Sequence, residues 1–500
     1  MILFKYDIIN KNIIYICFLI LITKEYLVFP INSFHPENFT QINNSKNFSN
    51  EDFLNYWLPN EMYTYLYIGS PPSKIYSFIE SENYESYMDN SICQLPSKYE
   101  NDSSSTFINI SNYNVFFSHF ANMCFAKETF YAYTDFNFDE NSKKFLHNLT
   151  FLYAIKPYND TFYSKYYHDS PVTGFSCFHI GFQIPSSPYY YDSWINQLKK
   201  HDYIESSYWT LEFKSSKNGL FDINGNENDG YLVIGLPPHK YNPNKFKENS
   251  FRSTVSQVRY KNYEDYRVNI WGIIFDKIYF FSNNSTKEEI ILQSTKCKFS
   301  LDINLIEGST NYLENIENEF FNDLYNKSIC FKERVSSKKN GIYYMITCDK
   351  KYYNKMKNFP PLYFKSNDLE YIFELTYKDL FASNGDKIYF MIIFRSKQGM
   401  FTFGKLFYKK YLFTFSFDNK IIGFYNDKLS QISNTNNYES KSRLKEKIII
   451  FILCLFIIFV LIVFVIKIKK KCLSDRQKRI NELIDDNYVY MINKAKNFSS

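Results

Sequence analysis

Residues 448–466 are nineteen consecutive apolar side chains without a charge. As a helix rising 1.5 Å per residue, such a run covers about 29 Å, the thickness of a bilayer's hydrocarbon core. Lys467, Lys469, Lys470 and Lys471 follow at once, a basic flank that places this end on the cytoplasmic side. Lys441, Arg443, Lys445 and Lys447 on the other side reduce that asymmetry. An N-terminal signal would resolve it. Lys5 and Lys11 precede a second apolar run, Ile13 to Ile22, whose length suits a signal-peptide core better than a span. Extending it through Tyr26 to Phe29 gives the alternative, an uncleaved anchor. The chain is expected to be a single-pass type I membrane protein of the secretory pathway, at the endoplasmic reticulum or the cell surface. Its segments are a signal peptide over 1–30, a lead-in over 31–61, a lumenal body, a stalk over 427–447, a span over 448–466 and a basic tail over 467–500.

This topology sorts the nine cysteines. Cys17, Cys454 and Cys472 fall in the signal, the span and the tail. Cys93, Cys124, Cys177, Cys297, Cys330 and Cys348 are left for the lumenal body, an even number that allows up to three disulfides in an oxidising compartment. None has CxxC spacing, and the seven His are scattered, so no metal site and no cofactor are expected. The net charge of +6 is small for 500 residues and clusters near the C-terminus, which gives no nucleic-acid footprint. Tyr, Phe, Asn, Lys and Ile are all abundant, as in proteins from AT-rich genomes, so no single Tyr or Lys counts as a signal. Nothing in the sequence sets an oligomeric state.

From Met62 to Asn426 the pattern is short runs of β-formers broken by Asn, Asp, Gly, Ser and Pro. Two stretches read as helices: Tyr191 to Asp202, and Ser309 to Tyr325, where Tyr312, Leu313, Ile316, Phe320, Phe321 and Leu324 keep near-helical spacing. About 365 residues of β structure exceed one sandwich, so two β-lobes are expected, over 62–240 and 241–426. The first lobe opens on Tyr65 to Tyr84, YLYIGSPPSKIYSFIESENY. It reads as a strand, a Gly-Ser-Pro-Pro turn and a second strand, followed by Glu80-Ser81-Glu82.

That stretch resembles the opening of the pepsin-like aspartic proteases, where an IGTPP turn leads into the strand that ends in the catalytic Asp-Thr-Gly. Further landmarks follow in family order: Thr173 to Phe182, the helix around Trp194, Tyr203 to Phe213, Asp229 to Lys240, Trp271 to Phe280, and Phe401 to Phe424. In the last of these, Gly404, Phe407, Tyr411, Phe415, Asp418, Ile422 and Gly423 hold family places with small shifts. The resemblance covers Met62 to Phe424. Together with the anchor, the layout is similar to that of the membrane-anchored plasmepsin of the endoplasmic reticulum. It implies an all-β, bilobal, pepsin-like double β-barrel with a few short helices, plus the C-terminal transmembrane helix.

The resemblance puts Glu80 and Asp302 at the positions of the paired catalytic carboxylates, which share one proton and one water. It puts Ser81 and Ile303 at the threonines, and Glu82 and Asn304 at the glycines. Glu80 is one methylene longer than Asp, and displacement on the scale of an ångström can cost about 100-fold in rate. Ile303 offers no hydroxyl to brace the lobe. The family's glycine-rich flap corresponds to Cys124 to Asp135, which contains no glycine. The same analogy favours the disulfides Cys93–Cys124 and Cys330–Cys348, with Cys297–Cys348 as a rival. Cys177 and His179, at i and i+2, share a strand face, a thiol–imidazole arrangement that competes with Cys177 as a disulfide or core residue. Two functions stay open. One is a catalytically inactive pseudoprotease that binds an extended peptide or a protein partner in or near the cleft. The other is a divergent membrane-bound aspartic endopeptidase using Glu80 and Asp302.

Overall fold

The computed structural model describes residues 26–33, 62–80, 87–88, 99, 101–110, 115–117, 120–139, 142–154, 178–182, 193–214, 230–256, 258–261, 267–281, 288–301, 303–337, 341–384, 386–395, 400–426, 466–484 and 487, and the structural statements below concern these. The chain divides into two units, Met1–Asp427 and Lys428–Ser500.

In the first unit, short β-runs separated by turn residues become two large sheets, of 14 and 11 strands, and a 2-stranded ribbon. The first sheet draws on both ends of the unit. Leu27–Ser33 lies between Gly230–Ile234 and Met62–Ile68. Tyr208–Phe213 pairs with Phe413–Ser416, which pairs with Ile421–Tyr425. The second sheet is built from strands between Gly272 and Phe403. The expected lobe boundary at 240/241 therefore does not divide the two sheets. The last two strands of the unit return to the first one.

Alternation sets which side chains face inward. On Met62–Ile68 the even positions are buried and the tyrosines at 63, 65 and 67 are half-buried on the other face. Where the last strands return, the core is aromatic. Trp209 stacks on Phe415 at 4.2 Å and meets Trp271 at 6.0 Å. The Trp271 indole donates to the Phe182 carbonyl, and Thr210 Oγ1 donates to Thr414 Oγ1 at 2.6 Å, fully buried. Rings of this size supply a large share of the apolar area that drives folding.

Both expected helices form. Trp194–Lys200 is capped by Ser193, whose hydroxyl accepts from Asn196 N–H. Thr310–Ile316, a π-helical turn over Glu317–Phe321 and Asn322–Asn326 make the second, capped by Ser309.

Leu27 to Pro30, read as the end of a signal peptide, are strand residues, and Leu27, Val28 and Phe29 are buried. Their apolar character belongs to the sheet core, and a hydropathy run cannot separate it from the segment before it. In the second unit, residues 466–484 form an exposed helix. Among the described residues, no helix is long and apolar enough to cross a membrane. The expected span lies outside them except for Ile466.

Asp418 ties the returning turn to the first helix, with its carboxylate 2.5 Å from Lys199 Nζ and its N–H donating to Ser207 Oγ. Burial alone would raise its carboxyl pKa, but the Lys199 ammonium and Ser207 outweigh that and hold it below the ordinary value. A carboxyl lowered on folding stabilises the protein above its unfolded value, about pH 4, and that contribution disappears as pH falls through the folded value. Denaturant titrations between about pH 3 and pH 5, the window set by that unfolded value, should show a shallower acid slope for Asp418→Asn than for the parent chain. Equal slopes would remove this linkage.

Candidate site at two strand crossings

The sheets contain the same local topology twice. In the first half, Ser73–Glu80 runs parallel to Phe178–Gly181, with Glu80 opposite Gly181. Phe178–Gly181 is antiparallel to Tyr87–Met88, which runs parallel to Lys143–Ala154. In the second half, Glu288–Phe299 runs parallel to Phe401–Phe403. Phe401–Phe403 is antiparallel to Ile306–Gly308, which runs parallel to Ile392–Arg395. In each half the chain leaves one strand, passes a short middle strand contributed from much later in the sequence, and pairs again on that strand's other side. Glu80 ends the leaving strand of the first crossing. Asp302 falls in sequence between the leaving and returning strands of the second.

The second crossing is described on both sides of Asp302. Ser300 N–H donates to Phe403 O at 2.9 Å, and Ile306 N–H donates to Met391 O at 3.2 Å. The carbonyls of Ile303 and Asn304 accept from the N–H groups of Lys405 and Leu406, at 2.9 and 3.0 Å. These bonds seat the start of the Lys405–Lys410 helix on the crossing. Gly404 makes this approach possible: a Cβ there would lie inside contact distance of the Ile303 and Leu305 carbonyl oxygens. Ile303 packs its side chain against the hydrophobic core, and Asn304 is half-buried. Lys405 is buried at the same corner, its ammonium 5.8 Å from the Phe213 ring centroid.

The first crossing is held through the turn that precedes it. Gly69 has φ +88°, the left-handed region that favours glycine. Its N–H donates to Thr129 O at 2.9 Å and its carbonyl accepts from Tyr131 Oη at 3.1 Å. Ser70 N–H donates to Ser104 Oγ at 3.0 Å. Beneath the turn, Glu128 is 1% exposed and accepts from the Tyr99 and Thr106 hydroxyls and from Thr129 N–H. Such bonds are what allow a carboxylate to be buried.

Sequence reasoning singled out neither Glu128 nor Lys405. Both were visible as charges, Glu128 within the β-run Cys124 to Tyr133 and Lys405 among Phe403, Gly404, Leu406 and Phe407. Of the expected site residues, Glu80 is a strand end, and Ile303 and Asn304 line the second crossing. Ser81, Glu82 and Asp302 lie outside the described residues.

Cys124 to Tyr133, most of the stretch matched to a glycine-rich hairpin, is the body of the strand Phe120–Tyr133, paired with Lys143–Ala154. Its aromatic residues Phe125, Phe130, Tyr131 and Tyr133 favour extended pairing. The cysteines divide. Cys330 and Cys348 form a disulfide between directly opposite residues of one hairpin. Cys297 is a free, fully buried thiol opposite Ile273 and Phe401, so neither the rival Cys297–Cys348 bridge nor a disulfide role for Cys297 holds. Cys348 is already bonded to its cross-strand neighbour. Burial pushes the Cys297 thiol pKa well up, which suppresses the reactive thiolate. Cys93 and Cys177 lie outside the described residues. Cys124 sits in a described strand, but its side chain is not described.

No protein-family model matches the chain, and no curated protein matches it.

Gly404→Ala should destabilise the first unit by at least the roughly 1–3 kcal/mol typical of overpacking, because the opposing atoms are backbone carbonyls that cannot rotate away. Urea unfolding of the variant measures this. An unchanged midpoint would mean that the corner does not depend on a missing side chain.

Proposed function

We propose that this chain is a pepsin-like pseudoprotease, a type I membrane protein of the secretory pathway whose two strand crossings hold a cleft that binds an extended peptide or a protein partner without cutting it. The observation that carries this reading is the second crossing. Among its described residues, the Ile303 and Asn304 carbonyls pair with Lys405 and Leu406 across a glycine at the close approach. Its chemistry is altered. Ile303 gives its side chain to the core where a bracing hydroxyl is needed, and Lys405 adds a buried cation to the corner. A dyad that shares a proton needs one neutral carboxyl. An ammonium brought within reach of such a pair would favour the ionised form of its carboxylates and work against that sharing. An extended ligand would be held by main-chain hydrogen bonds of the kind that add a strand to a sheet.

The repeated crossing also supports the rival reading, an endopeptidase using Glu80 and Asp302, because one carboxylate falls in each half. A single assay separates the two. The full chain in detergent is incubated with a peptide library between about pH 4 and pH 7, where a shared-proton dyad operates. The pseudoprotease reading predicts saturable retention of extended peptides and no cleavage above that of an Asp302→Ala chain. Pepstatin-sensitive cleavage abolished by Asp302→Ala would establish the endopeptidase instead.

A further inference from the structure

In the second unit, every residue of the 466–484 helix is exposed. At about 3.6 residues per turn, Ile466, Leu473, Ile480 and Ile484 fall on one line along it. They are 58, 59, 41 and 60% exposed, a stripe of branched aliphatic side chains left in water. Ile468 and Leu483 lie off that line. The charges are sorted around the stripe. The helix holds seven basic residues and two acidic ones, and both acids, Asp475 and Glu482, fall on the face opposite the stripe. Lys469, Lys470 and Arg476 flank it, while Lys471, Lys478 and Arg479 share the far side with the acids.

A coiled coil with a second copy would need another apolar position three or four residues after each stripe residue. After Ile466 those positions hold Lys469 and Lys470, and after Leu473 they hold Arg476 and Gln477. Only after Ile480 are they apolar, Leu483 and Ile484. Two copies joined along this stripe would bring their cations together and repel. A negatively charged bilayer surface favours this same arrangement. The apolar stripe sinks into the headgroup region, the cations at its margins reach the lipid phosphates, and the acids turn to water. Lysine and arginine span that boundary because their stems are apolar and only their tips are charged. The place of the helix in the chain fits as well. The apolar run 448–466 ends on its first residue, so a span there would hold the helix at the headgroups. The surface potential of anionic lipids acts on basic segments at that depth.

We infer that the 466–484 helix docks in the plane of an anionic bilayer, its aliphatic stripe in the headgroup region and Lys469, Lys470 and Arg476 on the lipid phosphates. This docking rests on the membrane anchor proposed above and is independent of what the crossings bind. The full chain is reconstituted into nanodiscs of phosphatidylcholine, alone or mixed with phosphatidylserine, and amide exchange of residues 473–484 is followed. Exchange should be slower in the anionic discs by at least about tenfold, and the difference should shrink as salt rises. Lys469→Gln, Lys470→Gln and Arg476→Gln together should abolish the slowing. Lys471→Gln, Lys478→Gln and Arg479→Gln remove the same charge from the far side and should keep most of it. Leu473→Gln with Ile480→Gln, which leaves the charge untouched, should abolish it. Glutamine is a good helix former, so all three variants keep their helix propensity. A chain that neither kind of disc retains on gel filtration would remove the anchor and the docking together. With the chain retained, four results would each overturn the docking alone: equal exchange in the two lipids, slowing in neutral discs only when two copies share a disc, equal loss in the two triple variants, or slowing kept by the Leu473–Ile480 variant.

Discussion

The return of the last two strands to the first sheet is the constraint on which the rest of the first unit depends. Phe413–Ser416 can pair with Tyr208–Phe213 only if everything between Gly272 and Phe403 closes into its own sheet and brings the chain back. The Trp209–Phe415 stack and the buried Thr210–Thr414 bond fix that junction. Because the contact joins residues about two hundred positions apart, its closure entropy is large in absolute terms but grows slowly with loop length. A dense aromatic core is enough to offset it.

Closure also explains why each crossing needs a late segment. The middle strand of the first crossing, Phe178–Gly181, and that of the second, Phe401–Phe403, each run parallel to a strand formed about a hundred residues earlier. Parallel neighbours require a long connection. In the first half that connection supplies the strands from Tyr87–Met88 to Lys143–Ala154, and in the second those from Ile306–Gly308 to Ile392–Arg395. Glu80 thus ends a strand paired with Phe178–Gly181, and Ser300 and Ile303 are held by backbone bonds to Phe403 and Lys405. Ile303 and Lys405 bring an apolar and a cationic side chain to the second crossing.

Much of this was legible in the sequence. Alternation on Met62–Ile68, the turn at Gly69, both capped helices and the glycine at 404 all follow from local patterns. Three features were not. Leu27–Phe29 looked like the tail of an apolar run because hydropathy does not distinguish a buried central strand from a signal sequence. The length of the strand Phe120–Tyr133 was hidden by the charges at Lys127 and Glu128, although its aromatic residues fit extended pairing. Cys297 was counted toward an even number of bridges, and only its placement between Ile273 and Phe401 reveals a packed core thiol. The charges at Glu128 and Lys405 were visible but could not be weighed without knowing which way the strand and the helix that carry them face.

The central claim is that the two halves form one body, closed by the returning strands, and that this closure positions both crossings. Native-state hydrogen exchange tests it directly. The amides of Phe413–Ser416 and Tyr208–Phe213 should exchange only through global opening, with the same free energy and denaturant dependence as those of Phe401–Phe403 in the other sheet. If Phe413–Ser416 opens at much lower free energy while Phe401–Phe403 stays protected, the two sheets are separable and the account is wrong.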